Sequence, residues 1–192
     1  MTRYLTPLST IVLLGVAVLT LRAEDAKSDN KPIDLFNGKD LTGWGLKNGE
    51  ACDGKTATGD RRFTAEDGMI VVHPRLKTEP IEQLWTTEKF PGDFELRLEF
   101  KASVNADSGL FIRGPQLQVR DYLVAGPYKQ LKKYKPQEWN EIVVIVKGTT
   151  AHCECNGEVL EDALKIPADG GIGLEADRNE MDYRNIRLTK TN

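Results

Sequence analysis

Several residue types that active sites commonly use are scarce in this chain. Its 192 residues include two histidines, three cysteines and 7% aromatic residues. Neither His73 nor His152 has a matching partner in the sequence, and a lone histidine is more often structural than catalytic. A metal site of Cys153, Cys155 and His152 is only weakly indicated, because residue 152 faces away from 153 and 155 on an extended strand. No metal site is therefore predicted.

The chain also lacks a strongly basic segment. It carries 26 basic and 29 acidic residues, a net charge of −3. The one concentration of basic residues runs from Lys129 to Lys135. This cluster fits a solvated loop better than a contact with an acidic polymer. Nucleic-acid binding therefore has no support.

The single long apolar run, residues 11–21, is shorter than the ~20 residues of a membrane-spanning helix. It follows Arg3 and precedes Leu21-Arg22-Ala23, the pattern of a cleaved signal peptide over residues 1–23, with an uncleaved anchor as the alternative. Cleavage leaves 24 basic against 29 acidic residues, a net charge of −5. We expect an exported protein, periplasmic or secreted and free of the membrane. Residues 24–32 are predicted to be a disordered leader and residues 33–190 one domain.

An exported chain with three cysteines raises the question of a disulfide bond. Cys153 and Cys155 lie two apart in a predicted strand, a separation of about 7 Å. An undistorted disulfide needs Cα atoms roughly 4.4–6.8 Å apart. A bridge, if formed, would join Cys52 to one of the other two, and the pairing stays open.

Apolar and polar residues alternate through most of the chain, whereas helical periodicity is poor. Residues 94–101 alternate without a fault, which predicts a strand with one buried face. Residues 80–85 and 129–133 are each predicted to form about one helical turn. The other predicted strands are 109–113, 116–120, 142–147, 150–155, 158–160, 173–176 and 183–189. Many short strands in one domain predict an all-β fold, two antiparallel sheets in a jelly-roll sandwich.

Alternation also predicts which side chains point away from the core. The predicted outward side chains are Glu95, Arg97, Glu99, Lys101, Phe111, Arg113, Gln116, Gln118 and Arg120. Amides and charged groups bind sugar hydroxyls, and an aromatic ring packs on a pyranose face. The alternative is an ordinary solvated surface with cross-strand ion pairs.

Residues 35–44 read LFNGKDLTGW, in which Asn37-Gly38 favours a tight turn and a small β-corner. This segment resembles the opening motif of the 3-keto-disaccharide hydrolase domain family, which has a concanavalin A-like β-sandwich fold. Further segments resemble that family in the same order along the chain: residues 94–100, 107–113, 116–121, 136–140, 156–157, 171–175 and 183–188. The resemblance covers nearly the whole predicted domain.

The resemblance implies an exported protein that cleaves the glycosidic bond of 3-keto-disaccharides or 3-keto-glycosides. A ketone at C3 acidifies the proton on C2, so a base removes it and the C1 substituent leaves by elimination. Water then adds back. The reaction needs a general base, an electrophile for the enolate oxygen and an acid for the leaving group. A divalent cation can act as the electrophile, but the sequence does not require one.

Matching positions in the family motifs suggest roles for eight residues. Arg113 is expected to stabilise the enolate oxygen, Asp121 or Glu99 to act as base or cation ligand, and Glu175 as acid. Gln118 is expected to orient the sugar, together with Gln116, Phe111 and Arg97. This assignment predicts that Glu99, Arg113, Gln118 and Asp121 surround one pocket.

Two departures from the family pattern favour a different use of the same surface. Gln116 stands where the family often has glutamate, and an amide transfers no proton near neutral pH. The histidine-containing stretch that follows the late motif in the family is absent from residues 175–180. A non-catalytic carbohydrate-binding sandwich is therefore the main alternative. A structural or adhesive role rests on the export signal alone, and no oligomeric state is predicted.

Overall fold

The computed structural model describes residue 1 and residues 31–124 and 126–191. Apart from residue 1, the predicted signal peptide lies outside these ranges, as does most of the predicted leader. Within them, no helix is long and apolar enough to cross a membrane. The described strands are β1 (Ile33–Asp34), β2 (Trp44–Leu46), β3 (Phe63–Glu66), β4 (Met69–Val72), β5 (Glu82–Thr86), β6 (Phe94–Ala102), β7 (Asp107–Ile112), β8 (Gln116–Arg120), β9 (Asn140–Lys147), β10 (Thr150–Cys155), β11 (Glu158–Lys165), β12 (Ile172–Ala176) and β13 (Met181–Lys190).

These strands form two antiparallel sheets. The larger has the order β11-β10-β9-β6-β13-β4-β3, and β1 also pairs with β13, which makes eight strands. The smaller has the order β2-β5-β12-β7-β8. Some neighbours in each sheet, such as β13 with β4 and β12 with β5, come from distant parts of the chain, as in other sandwiches with long crossing connections. The predicted all-β jelly-roll sandwich of concanavalin A-like type is confirmed.

The core lies between the two sheets and is built by alternation. In β6, Phe94, Leu96, Leu98 and Phe100 point inward and are at most 1% exposed. The five-stranded sheet supplies the facing layer, with Leu84, Leu110, Leu117 and Leu174 all buried. Each such side chain stabilises the fold by about 2 kcal/mol through burial. Because inward positions are committed to this core, the outward positions are available for binding.

The segment between β1 and β2 is the corner that the sequence predicts. The side-chain oxygen of Asn37 accepts hydrogen bonds from the backbone N–H groups of Lys39 and Asp40, at 2.8 and 3.0 Å. Gly38 has φ +76°, a conformation that favours glycine. β1 pairs in the eight-stranded sheet and β2 in the five-stranded sheet. The Asn37-Gly38 turn therefore lies where the chain passes from one layer of the sandwich to the other.

Two local predictions are wrong. Residues 80–85 are not a helical turn, because β5 occupies Glu82–Thr86 with Leu84 buried between partly exposed neighbours. Residues 129–133, the second predicted helical turn, form a turn and bends rather than a helix. In both segments the local pattern was too short to distinguish a helical turn from an extended strand or loop, so long-range pairing decided the outcome.

The three cysteines are free and buried. Cys153 and Cys155 point into the core from β10, as alternation predicts, and burial raises the pKa of each thiol to about 12. A bridge from Cys52 to either of them is not formed. Buried thiols of this kind act as small apolar side chains.

Candidate functional site

The outer face of the five-stranded sheet gathers polar and aromatic side chains that alternation turns away from the core. We call it the five-stranded face. Strand register places Trp85 and Phe111 on either side of Gly173, and Gln83 beside Glu175. The face consists of Gln83, Trp85, Asp107, Phe111, Gln116, Gln118, Arg120 and Glu175.

An aromatic ledge occupies one end of this face. The rings of Trp85 and Phe111 stack with centroids 5.1 Å apart, and the indole N–H of Trp85 donates to Gln83 at 3.1 Å. Between the two strands Gly173 leaves room for the indole, because a Cβ atom there would lie 2.8 Å from ring carbons of Trp85. A flat, partly exposed ring of this kind is suited to the apolar face of a sugar.

Glu175 lies beside this ledge and is held by an amide. The Gln116 side-chain N–H donates to the Glu175 carboxylate at 2.6 Å. Burial raises the pKa of Glu175 above its usual value, the Gln116 hydrogen bond opposes this rise, and the charges of Asp177 and Asp107 add to it. A carboxyl group whose pKa is raised toward neutrality can both take and give a proton.

Asp107 anchors the other end of the face. Its carboxylate accepts from the Gln118 amide at 2.6 Å, from Arg178 at 2.7 Å and pairs with Arg120 at 3.3 Å. Burial raises the pKa of Asp107 and the two guanidinium groups oppose the rise. The buried Nε of Arg120 has no hydrogen-bond partner among the described residues. This end of the face therefore combines fixed charges with the hydrogen-bonding groups that polyhydroxylated ligands need.

Gly109 makes the Gln116–Glu175 contact testable without changing either residue. A Cβ atom at residue 109 would lie 2.0 Å from the Gln116 amide nitrogen, so Gly109→Ala displaces a flexible side chain. Without its hydrogen-bond donor, Glu175 is expected to have a still higher pKa, measurable from the pH dependence of its carboxyl carbon signal by NMR. Gly59→Ala is the control, since nothing lies within 4 Å of a Cβ atom there. An unchanged pKa in Gly109→Ala would show that the amide does not act on Glu175.

Four of the predicted site residues meet on the five-stranded face: Phe111, Gln116, Gln118 and Glu175. Trp85, Asp107 and Arg178 were missed. Trp85 fell within the segment predicted to be a helical turn, although Gln83-Leu84-Trp85 alternates as a strand does. Asp107 and Arg178 meet through an isolated bridge between distant segments, which no local pattern reveals.

The predicted placement of Arg113 is wrong. The chain leaves the extended conformation at this residue, with φ +54°, so alternation no longer applies and the side chain turns inward to 4% exposure. Its guanidinium donates to the backbone oxygens of Phe90 at 2.8 Å, Gly148 at 3.1 Å and Pro167 at 3.2 Å, and also to Gly92. Four of its five N–H groups are thus committed to loop carbonyls. Arg113 joins loops at the end of the sandwich and is not available to an enolate.

Glu99 and Arg97 point outward as predicted, but from the other sheet. Both lie on β6 of the eight-stranded sheet. Glu99 accepts from Arg184 at 2.6 Å and from Asn185 at 2.8 Å. Arg97 pairs with Glu141 at 3.1 Å. These are the cross-strand ion pairs of a solvated surface, so the prediction that these residues share a site with Gln118 is wrong.

Asp121 lies just beyond β8 and is 3% exposed. Its carboxylate accepts from the backbone N–H of Asn105 at 3.1 Å, from Tyr134 at 3.2 Å and from Gln137 at 3.3 Å. The residue therefore fixes a loop rather than facing a ligand. The four residues Glu99, Arg113, Gln118 and Asp121 therefore do not form the predicted pocket. Glu99 lies on the eight-stranded sheet and Gln118 on the five-stranded sheet, whereas Arg113 and Asp121 are buried against loops.

Both histidines lie away from the five-stranded face. His73 follows β4 and its ring contacts the hydroxyl of Thr64 at 2.8 Å. His152, on β10, lies 3.0 Å from both Glu154 and Asp162, and its pKa is raised by these carboxylates, chiefly Glu154. Among the described residues, no group of three or more histidine, cysteine or acidic side chains has the geometry to hold a metal ion.

Fold and face together define a lectin-like β-sandwich with an aromatic and acidic outer surface on its smaller sheet. Residues 31–189 match the profile of the 3-keto-alpha-glucoside-1,2-lyase-like domain, and the chain belongs to this family. The family that the sequence motifs indicate is thereby confirmed. Membership supports a carbohydrate-active function. None of the curated proteins compared with the chain matches it.

Solved structures show the same fold at low sequence identity. Two presumed glycosyl hydrolases from Parabacteroides distasonis are similar with TM-scores of 0.63 and 0.61 at 19% and 20% identity. The alignments cover 84% of this chain and 94% and 100% of those chains. A Bacillus subtilis protein with a galectin-like fold has a TM-score of 0.52 at 10% identity, over 78% of this chain and 90% of that one.

Proposed function

We propose that this protein cleaves the glycosidic bond of 3-keto-glycosides on the five-stranded face, with Glu175 as the proton-transfer residue. One observation carries the proposal: a partly buried carboxyl group of raised pKa lies between an aromatic ledge and a set of fixed amides. The family assignment supports the substrate class. Glu175 matches the position at which the sequence motifs suggested an acid.

Substrate binding uses the aromatic and amide side chains. The sugar ring stacks against Trp85, and Gln83, Gln116 and Gln118 are within the same surface to bond its hydroxyl groups. Gln116 and Gln118 are already oriented by Glu175 and Asp107, at 2.6 Å each. Side chains fixed before binding lose less conformational freedom when the ligand arrives.

The chemistry proceeds by elimination and hydration. The Glu175 carboxylate takes the C2 proton, and the electron pair of the broken C2–H bond forms an enolate with the C3 carbonyl. The enolate then forms the C1–C2 double bond as the C1–O bond breaks, and the leaving oxygen takes a proton from the Glu175 carboxyl. Water adds to C1 and a proton returns to C2, which releases the 3-keto sugar. One carboxyl group can serve each proton transfer in turn.

The enolate oxygen requires a positive partner while the C2 proton is absent. Arg113 cannot supply it. Arg178, fixed by Asp107 at 2.7 Å and half exposed, is the guanidinium that we assign to this task. Its planar fork keeps one edge on Asp107 and leaves N–H groups on the other for a ligand.

Direct measurement of bond cleavage tests the proposal. The purified protein is incubated with 3-keto-trehalose or a chromogenic 3-keto-glucoside, with and without a chelator, and release of glucose or aglycone is followed. We expect release in both conditions when Arg178 is the electrophile. Release only without chelator would assign the role of electrophile to a bound cation instead of Arg178. No release in either condition would contradict the proposed enzymatic activity.

A carbohydrate-binding sandwich without catalysis is the second candidate, and Gln116 favours it. An amide at this position binds hydroxyl groups but moves no proton. Binding of a 3-keto sugar by calorimetry, with no product formed, would establish this function instead.

Both candidates predict that Trp85 contributes to sugar binding. Trp85→Ala removes the partly exposed ring of the ledge and is expected to weaken binding of a 3-keto-glucoside by about fivefold, given about 1 kcal/mol for aromatic packing. Trp139→Ala is the matched control, because Trp139 lies under Arg184 at 3.8 Å, beyond the five-stranded face. Equal effects of the two variants on affinity would move the sugar site elsewhere.

Export is the remaining part of the proposal and rests on residues 1–23. The expected mature chain begins at Glu24. Intact-mass measurement of protein recovered from the periplasm or medium tests this, and a full-length mass in the cell interior would contradict it.

A further inference from the structure

A cavity of about 250 Å³ lies at the end of β12, where the five-stranded face continues past Glu175. It is lined by Arg75, Lys77, Asp177, Arg178 and Asn179. Three of these five side chains are cations and one is an anion, in a protein whose net charge is negative. Because Asp177 pairs with Arg75 and Asp107 with Arg178, the unbalanced positive charge of the lining is that of Lys77, and it attracts anionic ligands.

The two arginine side chains of this cavity are held in place by hydrogen bonds. The Arg75 Nε donates to Asp177 at 2.9 Å, and its Nη1 donates to the backbone oxygen of Glu79 at 2.9 Å. Arg178 is held by Asp107 at 2.7 Å and by the backbone oxygen of Asn105 at 3.3 Å. The cavity wall is therefore organised before any ligand binds.

Each of the three cations that line the cavity, Arg75, Lys77 and Arg178, has a hydrogen-bond donor without a partner among the described residues. Nη2 of Arg75 and Nη1 of Arg178 make no hydrogen bond there, and the exposed Lys77 ammonium makes no ion pair there. Asp177 is neutralised by Arg75. Nη2 of Arg75 and the Lys77 ammonium, which the proposed reaction does not use, match the oxygens of a carboxylate, sulfate or phosphate.

The cavity lies within reach of a sugar bound at Glu175. Asp177, which lines the cavity, follows Glu175 by two residues just beyond the end of β12, at most about 7 Å of backbone, and its charge contributes to the raised pKa of Glu175. A pyranose above Glu175 can therefore extend an exocyclic group into the cavity without leaving the Trp85 ledge.

We propose that the Arg75 and Lys77 side of this cavity recognises an anionic substituent of the sugar, while Arg178 faces the enolate oxygen, so that acidic glycosides are preferred over neutral ones. The inference rests on the proposed sugar site at Glu175 and adds its substrate class. The shared chemistry is an exocyclic acidic group, either a uronate carboxylate or a sulfate ester.

Isothermal calorimetry with three methyl glycosides tests the inference. Methyl glucuronide and methyl glucoside 6-sulfate are compared with methyl glucoside, at low and at high salt, and inorganic sulfate is titrated alone. We expect the acidic sugars to bind about tenfold more tightly than the neutral one at low salt, the value of one charge-assisted contact. The preference is expected to shrink in high salt. The stronger of the two acidic sugars identifies the acidic group.

Charge reversal at Lys77 supplies the decisive variant. Lys77→Glu is expected to abolish the preference for acidic sugars while leaving affinity for methyl glucoside unchanged. Lys165→Glu, on β11 of the other sheet, changes the net charge equally and is expected to keep the preference. Equal binding of all three sugars by the unmodified protein, or the same loss in both variants, would overturn the inference.

The outcomes also separate this inference from the proposed function. Neutral and acidic sugars that bind equally, with 3-keto-glucoside cleavage intact, would overturn the inference alone. Sulfate binding that Lys77→Glu abolishes, without binding of any sugar and without cleavage, would overturn the proposed function while the anion cavity stands. Absence of sugar, sulfate and turnover would overturn both.

Discussion

Replacement of Glu175 by glutamine is expected to lower kcat on a 3-keto-glucoside by about 10²- to 10⁴-fold, the usual contribution of a positioned acid–base group. Glutamine keeps the shape of the side chain and its contact with Gln116, but it can neither take the C2 proton nor protonate the leaving oxygen. Affinity for the sugar is expected to change little. Steady-state kinetics with calorimetric binding separates these two effects.

Glu99→Gln provides the matched control for this variant. Glu99 is bonded to Arg184 and Asn185 on the eight-stranded sheet, and the sequence motifs suggested it as a base. We expect its loss to leave kcat unchanged. If Glu99→Gln and Glu175→Gln exchanged effects, the active surface would be the outer face of the eight-stranded sheet.

The same assignment predicts the pH dependence. The base must be ionised, and burial raises the pKa of Glu175. The acid limb of the kcat/KM profile is therefore expected above the ordinary glutamate range, and Gly109→Ala is expected to move it higher still. An acid limb at the ordinary value, unmoved by Gly109→Ala, would assign it to a different group.

Replacement of Arg113 by methionine is expected to destabilise the fold by about 3 kcal/mol, because backbone carbonyls in loops that Arg113 joins are left without donors. For a domain of this size the melting temperature falls by about 10 °C. Methionine keeps a long, unbranched side chain at this position and an apolar contact with the Phe94 ring, over which the guanidinium lies at 5.0 Å. Denaturant unfolding and thermal scans measure the loss.

Arg97→Met is the matched control, since Arg97 is half exposed and its ion pairs lie on a solvated surface. A loss below about 1 kcal/mol is expected there. Well below its melting temperature, Arg113→Met is expected to keep its kcat. A normal melting temperature combined with a lost kcat would restore Arg113 to the catalytic role that the family motifs suggested.

Strand identity was predictable wherever alternation was long. Residues 94–101 predicted β6 nearly to its ends, with Leu96 and Leu98 inward and Glu99 outward. Residues 82–86 were not recognised, because five residues after a proline fit a helical turn and a strand equally well. The local sequence of β5 does not by itself select a strand, and pairing with β2 and β12 on its two sides stabilises the extended conformation.

The candidate site was predictable in part for the same reason. Gln116, Gln118 and Glu175 were placed outward by alternation and by motif position, and they meet on one face. The predicted outward placement of Arg113 was wrong because Arg113 itself has a positive φ, which ends the alternation at that residue. The sequence gives no sign of this change in backbone conformation. The predicted site role of Asp121 could not be checked by alternation, because Asp121 lies in the loop after β8 and loop residues do not alternate between two faces.

The sequence by itself determined the family, the all-β class and the inward or outward direction of side chains within regular strands, since these depend on motifs and on a two-residue period. Only the tertiary structure decided which outward residues share a surface. Sheet order joins segments that are far apart in the chain, so Glu99 and Glu175 point outward from opposite layers while Trp85 and Phe111 become neighbours.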